Sequence, residues 1–180
     1  MPENWDRIKS NKIFKQSNLR SRESDEQLTA SQKYGVIPQS LYMTKEESRV
    51  VLALSGTGNF KHVDKNDFVI SLRSFQGGIE RCFYEGCVSP AYTVLKPNQV
   101  INHDFWAYLF KSTLYISALN TAVDGIREGK TISYTNFGEI YVNIPTLSEQ
   151  AQIANFLDTE TTRIDNLIAK QEKLIELLEE

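Results

Sequence analysis

The chain has 180 residues, of which 41% are hydrophobic and 24% charged, with a formal charge of −3. That make-up suits one globular domain plus an extension and excludes collagen-like, disordered and membrane-spanning classes, since no apolar run approaches the ~20 residues that cross a bilayer. The charge is uneven: residues 148–180 hold eight acids and three bases, so an acidic tail follows a mildly basic body that cannot grip nucleic acid by charge alone.

Residues 4–14 (NWDRIKSNKIF) read as an entry segment anchored by Trp5, Ile8, Ile13 and Phe14. No apolar signal-peptide core precedes them, so a cytoplasmic protein is expected. The polar stretch 15–33 reads as a surface loop or weak helix carrying Arg20 and Arg22. YGVIPQS at 34–40, with Gly35 and Pro38, reads as an extended turn. TKEESR at 44–49 predicts a short helix capped by Thr44, followed by an apolar run at 50–54 and the loop SGTG at 55–58. KNDFVISL at 65–72 is a turn feeding a buried strand, broken by FQGG at 75–78. Residues 79–84 and 91–95 are strands around a turn at 85–90.

A second helix is predicted over 105–119, with Phe105, Trp106, Leu109, Phe110 and Leu119 on its apolar face and Asn102 or Asp104 as cap. DGIREGK at 124–130 is a Gly-rich basic loop. Strand candidates at 131–134 and 140–144 surround a turn or brief helical piece at 136–138. Strands, then helix, then strands predict an α+β fold: a mostly antiparallel sheet with flanking helices over residues 1–144, followed by a long C-terminal helix over 145–180.

That helix opens after Pro145, with Ser148 as the expected N-cap and Glu149 in the first turn, where a negative charge suits the helix dipole. No Gly or Pro interrupts 148–180, which gives a helix of about 50 Å. Leu157, Thr161, Ile164, Ile168, Gln171, Ile175 and Leu178 are spaced 4, 3, 4, 3, 4, 3, and Ile153, Leu167 and Leu174 widen the stripe. A seam of this kind calls for a second helix, which makes Leu157, Ile164, Ile168, Ile175 and Leu178 dimerisation candidates. The competing reading is a helix folded back on its own domain.

The chemistry of an enzyme is missing from the sequence. SGTGNFK lacks the spacing and Lys-Ser/Thr ending of a phosphate loop, and there is no H-E-x-x-H or G-x-S-x-G. His62 and His103 stand apart, and Cys82 and Cys87 read as packed thiols with no His pair beside them, so neither a catalytic nor a metal site is expected. The loops instead offer base-reading side chains: Gln39 and Ser40 after Pro38, Arg73, Ser74 and Gln76 where a strand breaks, and Arg127 and Lys130 in the basic loop. Arg can bond guanine bidentately and Gln adenine.

Pro145, Leu147, Glu149, Gln150, Ile153, Ala154, Leu157, Ile164, Asp165 and the run 172–178 (EKLIELL) resemble the conserved spacer helix of type I restriction–modification specificity subunits. Trp5, YGVIPQS, NDFVISLRSFQGG at 66–78, VSPAY at 88–92 and REGKTISYTNFGEI at 127–140 are similar to a target recognition domain of that family. Full-length members carry two recognition domains and two such helices; this chain has one of each and resembles a half-length form. The resemblance implies a non-catalytic subunit that reads a bipartite double-stranded DNA site and docks methyltransferase subunits, with restriction subunits joining the full complex. It binds no cofactor itself: S-adenosylmethionine and the flipped adenine belong to the methyltransferase partner. A homodimer through the C-terminal helix is expected. The alternative is a coiled-coil interaction module or regulatory half-subunit that binds the methyltransferase without reading DNA.

Overall fold

The computed structural model describes residues 5–46, 56–71, 78–122 and 132–179. A four-stranded antiparallel sheet is its centre, in the order β2–β9–β6–β7, where β2 is Phe14–Ser17, β9 Thr93–Pro97, β6 Phe68–Ile70 and β7 Ile79–Arg81. Alternating side chains of a strand point to opposite faces, and this sheet is buried on both. Phe68, Ile70 and Leu95 face one core, while Val69 and Val94 face another.

Helices cover the first face: α3 (His103–Lys111), α4 (Thr113–Ala122) and α5 (Tyr134–Gly138). Phe14, Trp106, Phe110 and Phe137 are fully buried there and meet mostly edge to face, the arrangement aromatic quadrupoles favour. Two hairpin-like pairs cover the second face. One joins β3 (Leu28–Ser31) to β4 (Gly35–Pro38), and the other joins β5 (Lys61–Val63) to β8 (Gly86–Val88). They contribute Leu28, Val36, Val63 and Val88 to a smaller core with Cys82. Finally, β1 (Asp6–Lys9) pairs antiparallel with β10 (Tyr141–Ile144), and the short helix α1 (Ser10–Ile13) links β1 to β2. The β1–β10 pair brings the start of the domain to the foot of the last helix, α6 (Leu147–Glu179).

The α+β expectation holds, with several local corrections. The polar stretch 15–33 is neither loop nor weak helix throughout, because it ends β2 and forms β3; Lys15 and Gln16 are the exposed residues of a strand paired with β9. YGVIPQS is largely strand: Gly35 takes φ +72° at the β3–β4 turn, a conformation that costs other residues 1–2 kcal/mol or so. The next helix, α2 (Gln39–Glu46), therefore starts five residues before Thr44, which lies inside it and bonds the carbonyl of Ser40 at 3.1 Å. The turn expected at 85–90 contains β8.

The single helix expected at 105–119 is two. Ser112 adopts an extended ψ of 143°, donates to the Leu109 carbonyl and accepts from the N–H of Tyr115, so it ends α3 and caps α4. Tyr134, expected in a strand, opens α5 instead, with Ser133 accepting from the N–H of Asn136. The segments 50–54 and 124–130 lie outside the described residues.

Gly86 shows how tightly the hairpin layer rests on its neighbour. A Cβ there would sit 2.4 Å from the carbonyl oxygen of Glu26 and 2.9 Å from Cγ of Leu28. Because the first obstacle is backbone, Gly86→Ala is expected to cost about 3 kcal/mol, the upper end of ordinary overpacking. Gly58→Ala, whose Cβ would meet nothing within 4 Å, should stay within about 0.5 kcal/mol of the parent when both variants are unfolded in urea.

Candidate nucleic-acid interface and helix seam

Of the seven candidate DNA-reading residues, two are described. Gln39 begins α2 and is 4% exposed, its N–H donating to the carbonyl of Gln27 at 3.0 Å. Ser40 beside it is exposed and donates its hydroxyl to Oε1 of Glu26 at 2.9 Å. Arg73, Ser74 and Gln76, between β6 and β7 in the chain, and Arg127 and Lys130, between α4 and α5, lie outside the described residues.

Near Ser40 the fold assembles a group that loop-by-loop reading missed. Lys33 and Lys45 each bring Nζ to 4.9 Å from the ring centre of Tyr34, and Tyr42 meets that ring edge-on at 6.5 Å. Lys33 also bonds Glu46 at 3.3 Å. The contacts with the Tyr34 hydroxyl and Glu46 raise the pKa of Lys33, and those with Tyr34 and Lys33 lower that of Glu46. Lysines interleaved with tyrosines are what a phosphate backbone and base faces can meet. The sequence signal was present as Lys33-Tyr34 and Tyr42-x-x-Lys45. It became visible only once α2 was extended back to Gln39, which places residues 42 and 45 one turn apart.

Many other basic side chains are already engaged. Among the described residues Arg22 pairs with Glu85, Arg81 with Asp104, Lys96 with Asp64 and Asp67, and Lys111 with the buried Glu80. Burial raises the pKa of Glu80, and Lys111 opposes that rise. A groove of about 440 Å³ runs from Tyr34 past Arg81 and Phe83 to Tyr108 and Asp158, so the hairpin layer and the base of α6 share one surface.

The base of α6 is locked by side chains. Thr146, not Ser148, is the N-cap: its Oγ1 accepts from the N–H of Glu149, while Oε2 of Glu149 accepts from the Thr146 N–H at 2.8 Å. This is a reciprocal capping box, and its T-x-x-E spelling at 146–149 was legible in the sequence. Gln150 is 3% exposed; its Oε1 accepts from the N–H of Asn102, the cap residue of α3, and its Nε2 donates to the carbonyl of Pro145. Trp5 Nε1 reaches Glu149, and the Tyr108 hydroxyl donates to Asp158.

Gln150→Leu would leave one N–H and one carbonyl without these partners. We expect a loss of about 2–3 kcal/mol in urea unfolding, larger than for the capping-box variant Thr146→Ala at about 1 kcal/mol.

Ala154 is buried against the domain and Leu157 half-buried. Thr161, a polar interruption of the seam, lies 3.2 Å from the Tyr108 hydroxyl and bonds the carbonyl of Leu157. Beyond it the stripe continues with nothing over it: Ile164, Ile168 and Ile175 are 46–50% exposed and Leu178 is 78% exposed. The five dimerisation candidates therefore share one helix face, of which only the Leu157 end touches the domain. No described helix is long and apolar enough to cross a membrane.

The family described as the type I restriction modification DNA specificity domain matches residues 2–179. No curated protein matches the sequence. Among solved structures, the HsdS subunit from Thermoanaerobacter tengcongensis is similar, with a TM-score of 0.60 and 16% identity over 93% of this chain. A chain from a structure on complex assembly and conformational transition of the type I R-M system has a TM-score of 0.63 and 15% identity over 93% of this chain. This chain spans 40% of the length of each, and the likeness is one of fold. The match over nearly every residue settles the family: the chain belongs to the type I restriction modification DNA specificity domain family.

Proposed function

We propose that the chain is the DNA-reading component of a cytoplasmic type I restriction–modification complex. The observation that carries this reading is the division of α6 in a member of this family: its stripe is packed on the domain up to Thr161 and bare from Ile164 to Leu178. Two copies pair antiparallel through the bare stretch, which sets two recognition domains at opposite ends of a strut of about 50 Å. DNA repeats its groove every ~34 Å, so the pair reads a bipartite site with an unread spacer, palindromic by the two-fold symmetry.

The chemistry sits on partners. Methyltransferase subunits bind S-adenosylmethionine and flip the target adenine, and restriction subunits join in the full complex. Leu167 and Leu174 widen the seam beyond the two positions per heptad that a two-stranded pair needs, which leaves apolar surface for the methyltransferase. Base reading falls to Ser40 and the segments carrying Arg73, Ser74, Gln76, Arg127 and Lys130, with Lys33 and Lys45 on the phosphates, while the buried Gln39 supports Ser40 from within.

Base-resolution sequencing of adenine methylation in cells with and without this chain tests the reading. The expected result is one bipartite motif that disappears with the chain and loses stringency in Arg73→Ala or Gln76→Ala. One observation favours a second reading, in which the chain binds the methyltransferase without directing it: so many of the described cations are paired within the domain. Co-purification of the methyltransferase with an unchanged methylation pattern would select that reading.

A further inference from the structure

His62, isolated in the sequence, sits among three carboxylates, two of them from distant segments. It lies on β5 and is 1% exposed. Its Nδ1 is 2.9 Å from Oδ2 of Asp25, a side chain that is itself 3% exposed. Its Nε2 is 3.0 Å from Oδ1 of Asp64 and 3.9 Å from Oε1 of Glu85. A neutral imidazole has one N–H and one lone pair, so it can donate to a carboxylate on one side only. On the other side a lone pair would face carboxylate oxygen, so that contact calls for a cation between them, either a second ring proton or a bound metal ion.

We infer that His62, Asp64 and Glu85 form a binding site for one divalent transition-metal ion, with Asp25 as the carboxylate that orients the histidine.

The donor set fits. With Nδ1–H donated to Asp25, Nε2 presents its lone pair to the side where Asp64 and Glu85 lie; a histidine ligand ordinarily gives its other N–H to such a carboxylate. Zinc bonds to nitrogen and oxygen at about 2.0–2.2 Å put neighbouring ligand atoms roughly 3.0–3.5 Å apart, and the two Nε2 contacts fall at and just beyond that range.

The surrounding charge fits as well. Asp64 gives its other oxygen, Oδ2, to Lys96, which leaves Oδ1 free to turn to an ion. Lys96 also holds Asp67, and Arg22 holds Glu85. Four carboxylates thus share two cationic side chains, and a dication would neutralise the remainder. Imidazole beside carboxylates suits zinc or a similar first-row ion better than Mg²⁺, which prefers oxygen and water.

The sequence points to no metal site because Cys82 and Cys87 have no His pair beside them. Here the ligands come from positions 62, 64 and 85, joined by the pairing of β5 with β8. A bound ion would fasten the β5–β8 pair to the 21–27 segment that leads into β3, where Glu26 supports Ser40.

The test is titration of Zn²⁺ into untagged, chelator-stripped full-length protein, by calorimetry and thermal unfolding, with Mg²⁺ as the comparison. The expected result is one Zn²⁺ per chain and a rise in Tm of about 5–10 °C at a hundredfold excess over Kd, with no such rise for Mg²⁺. Glu85→Gln changes a half-exposed side chain and should leave the metal-free Tm near the parent value while weakening Zn²⁺ at least tenfold. His62→Gln should abolish stoichiometric binding. Equal Zn²⁺ affinity in the parent and Glu85→Gln overturns the proposal, as does an absence of stoichiometric uptake by the folded parent.

Discussion

Ile168→Lys is expected to split the proposed pair of chains into monomers while leaving the domain folded. In an antiparallel register centred on the seam from Leu157 to Leu178, Ile168 meets its own symmetry mate. It is half exposed in the single chain, so its contacts are available to a partner and are not spent on the domain. Replacing it removes roughly 1.5–3 kcal/mol of side-chain burial from each helix and sets two ammonium groups face to face. Twice the lower figure already weakens the dimer about a hundredfold. Sedimentation equilibrium measures the association, and urea unfolding followed by tryptophan fluorescence measures the domain, whose Trp106 is fully buried. A dimer unaffected by the substitution would sink the seam itself, because Ile168 meets its own mate in a parallel pair as well. Solution scattering separates the two orientations: domains at opposite ends of the strut are expected, and a compact dimer with adjacent domains would sink the antiparallel pair.

Phe110→Ala should do the reverse, removing about 3–5 kcal/mol from the domain without touching the seam. Phe110 is fully buried at the meeting point of the sheet and its helices. Its ring lies 5.1 Å from Phe68, 5.4 Å from Trp106, 5.6 Å from Phe14, 5.0 Å from Tyr115 and 6.1 Å from Phe137. Truncation opens a cavity bounded by large rings that cannot collapse into it, and it takes a third or more of the stability a domain of this size ordinarily has. The expected readout is a large fall in the urea midpoint at an unchanged slope. Phe156→Ala, on the exposed side of α6, serves as the control and should shift it little.

How far the sequence could be read depended on how local the signal was. The stripe from Leu157 to Leu178 is a property of consecutive residues, and α6 follows it, with its cap two residues before the expected Ser148. Phe105, Trp106 and Phe110 declared their apolar face in the same way, yet the break at Ser112 did not, since a serine that ends one helix and caps the next looks like any helical serine until its ψ is known. The strands β3 and β8 were illegible for a different reason. LTAS and GCV are short and carry little apolar alternation, and they are strands because β4 and β5 lie beside them. The His62 cluster is the extreme case: Asp25, His62 and Glu85 gain their meaning only from the pairing of distant segments. Among the base-reading candidates, Gln39 had the right chemistry and the right neighbourhood, but the α2 start that places Ser40 outside turns Gln39 inward.

The latch formed by Gln150, Tyr108 and the Thr146–Glu149 box also has a mechanical meaning. Beyond Thr161, where that clamp ends, the helix projects as a lever of roughly 27 Å, and a lever converts angle into distance. A wobble of about 7° at the clamp displaces the far end by roughly 3.3 Å, close to the ~3.4 Å that separates successive base pairs. In the proposed pair, the fidelity with which two half-sites are kept a fixed number of base pairs apart is therefore set by the stiffness of a few buried hydrogen bonds at the foot of the helix. A variant that loosens them would relax the permitted spacing while each half-site is still read correctly.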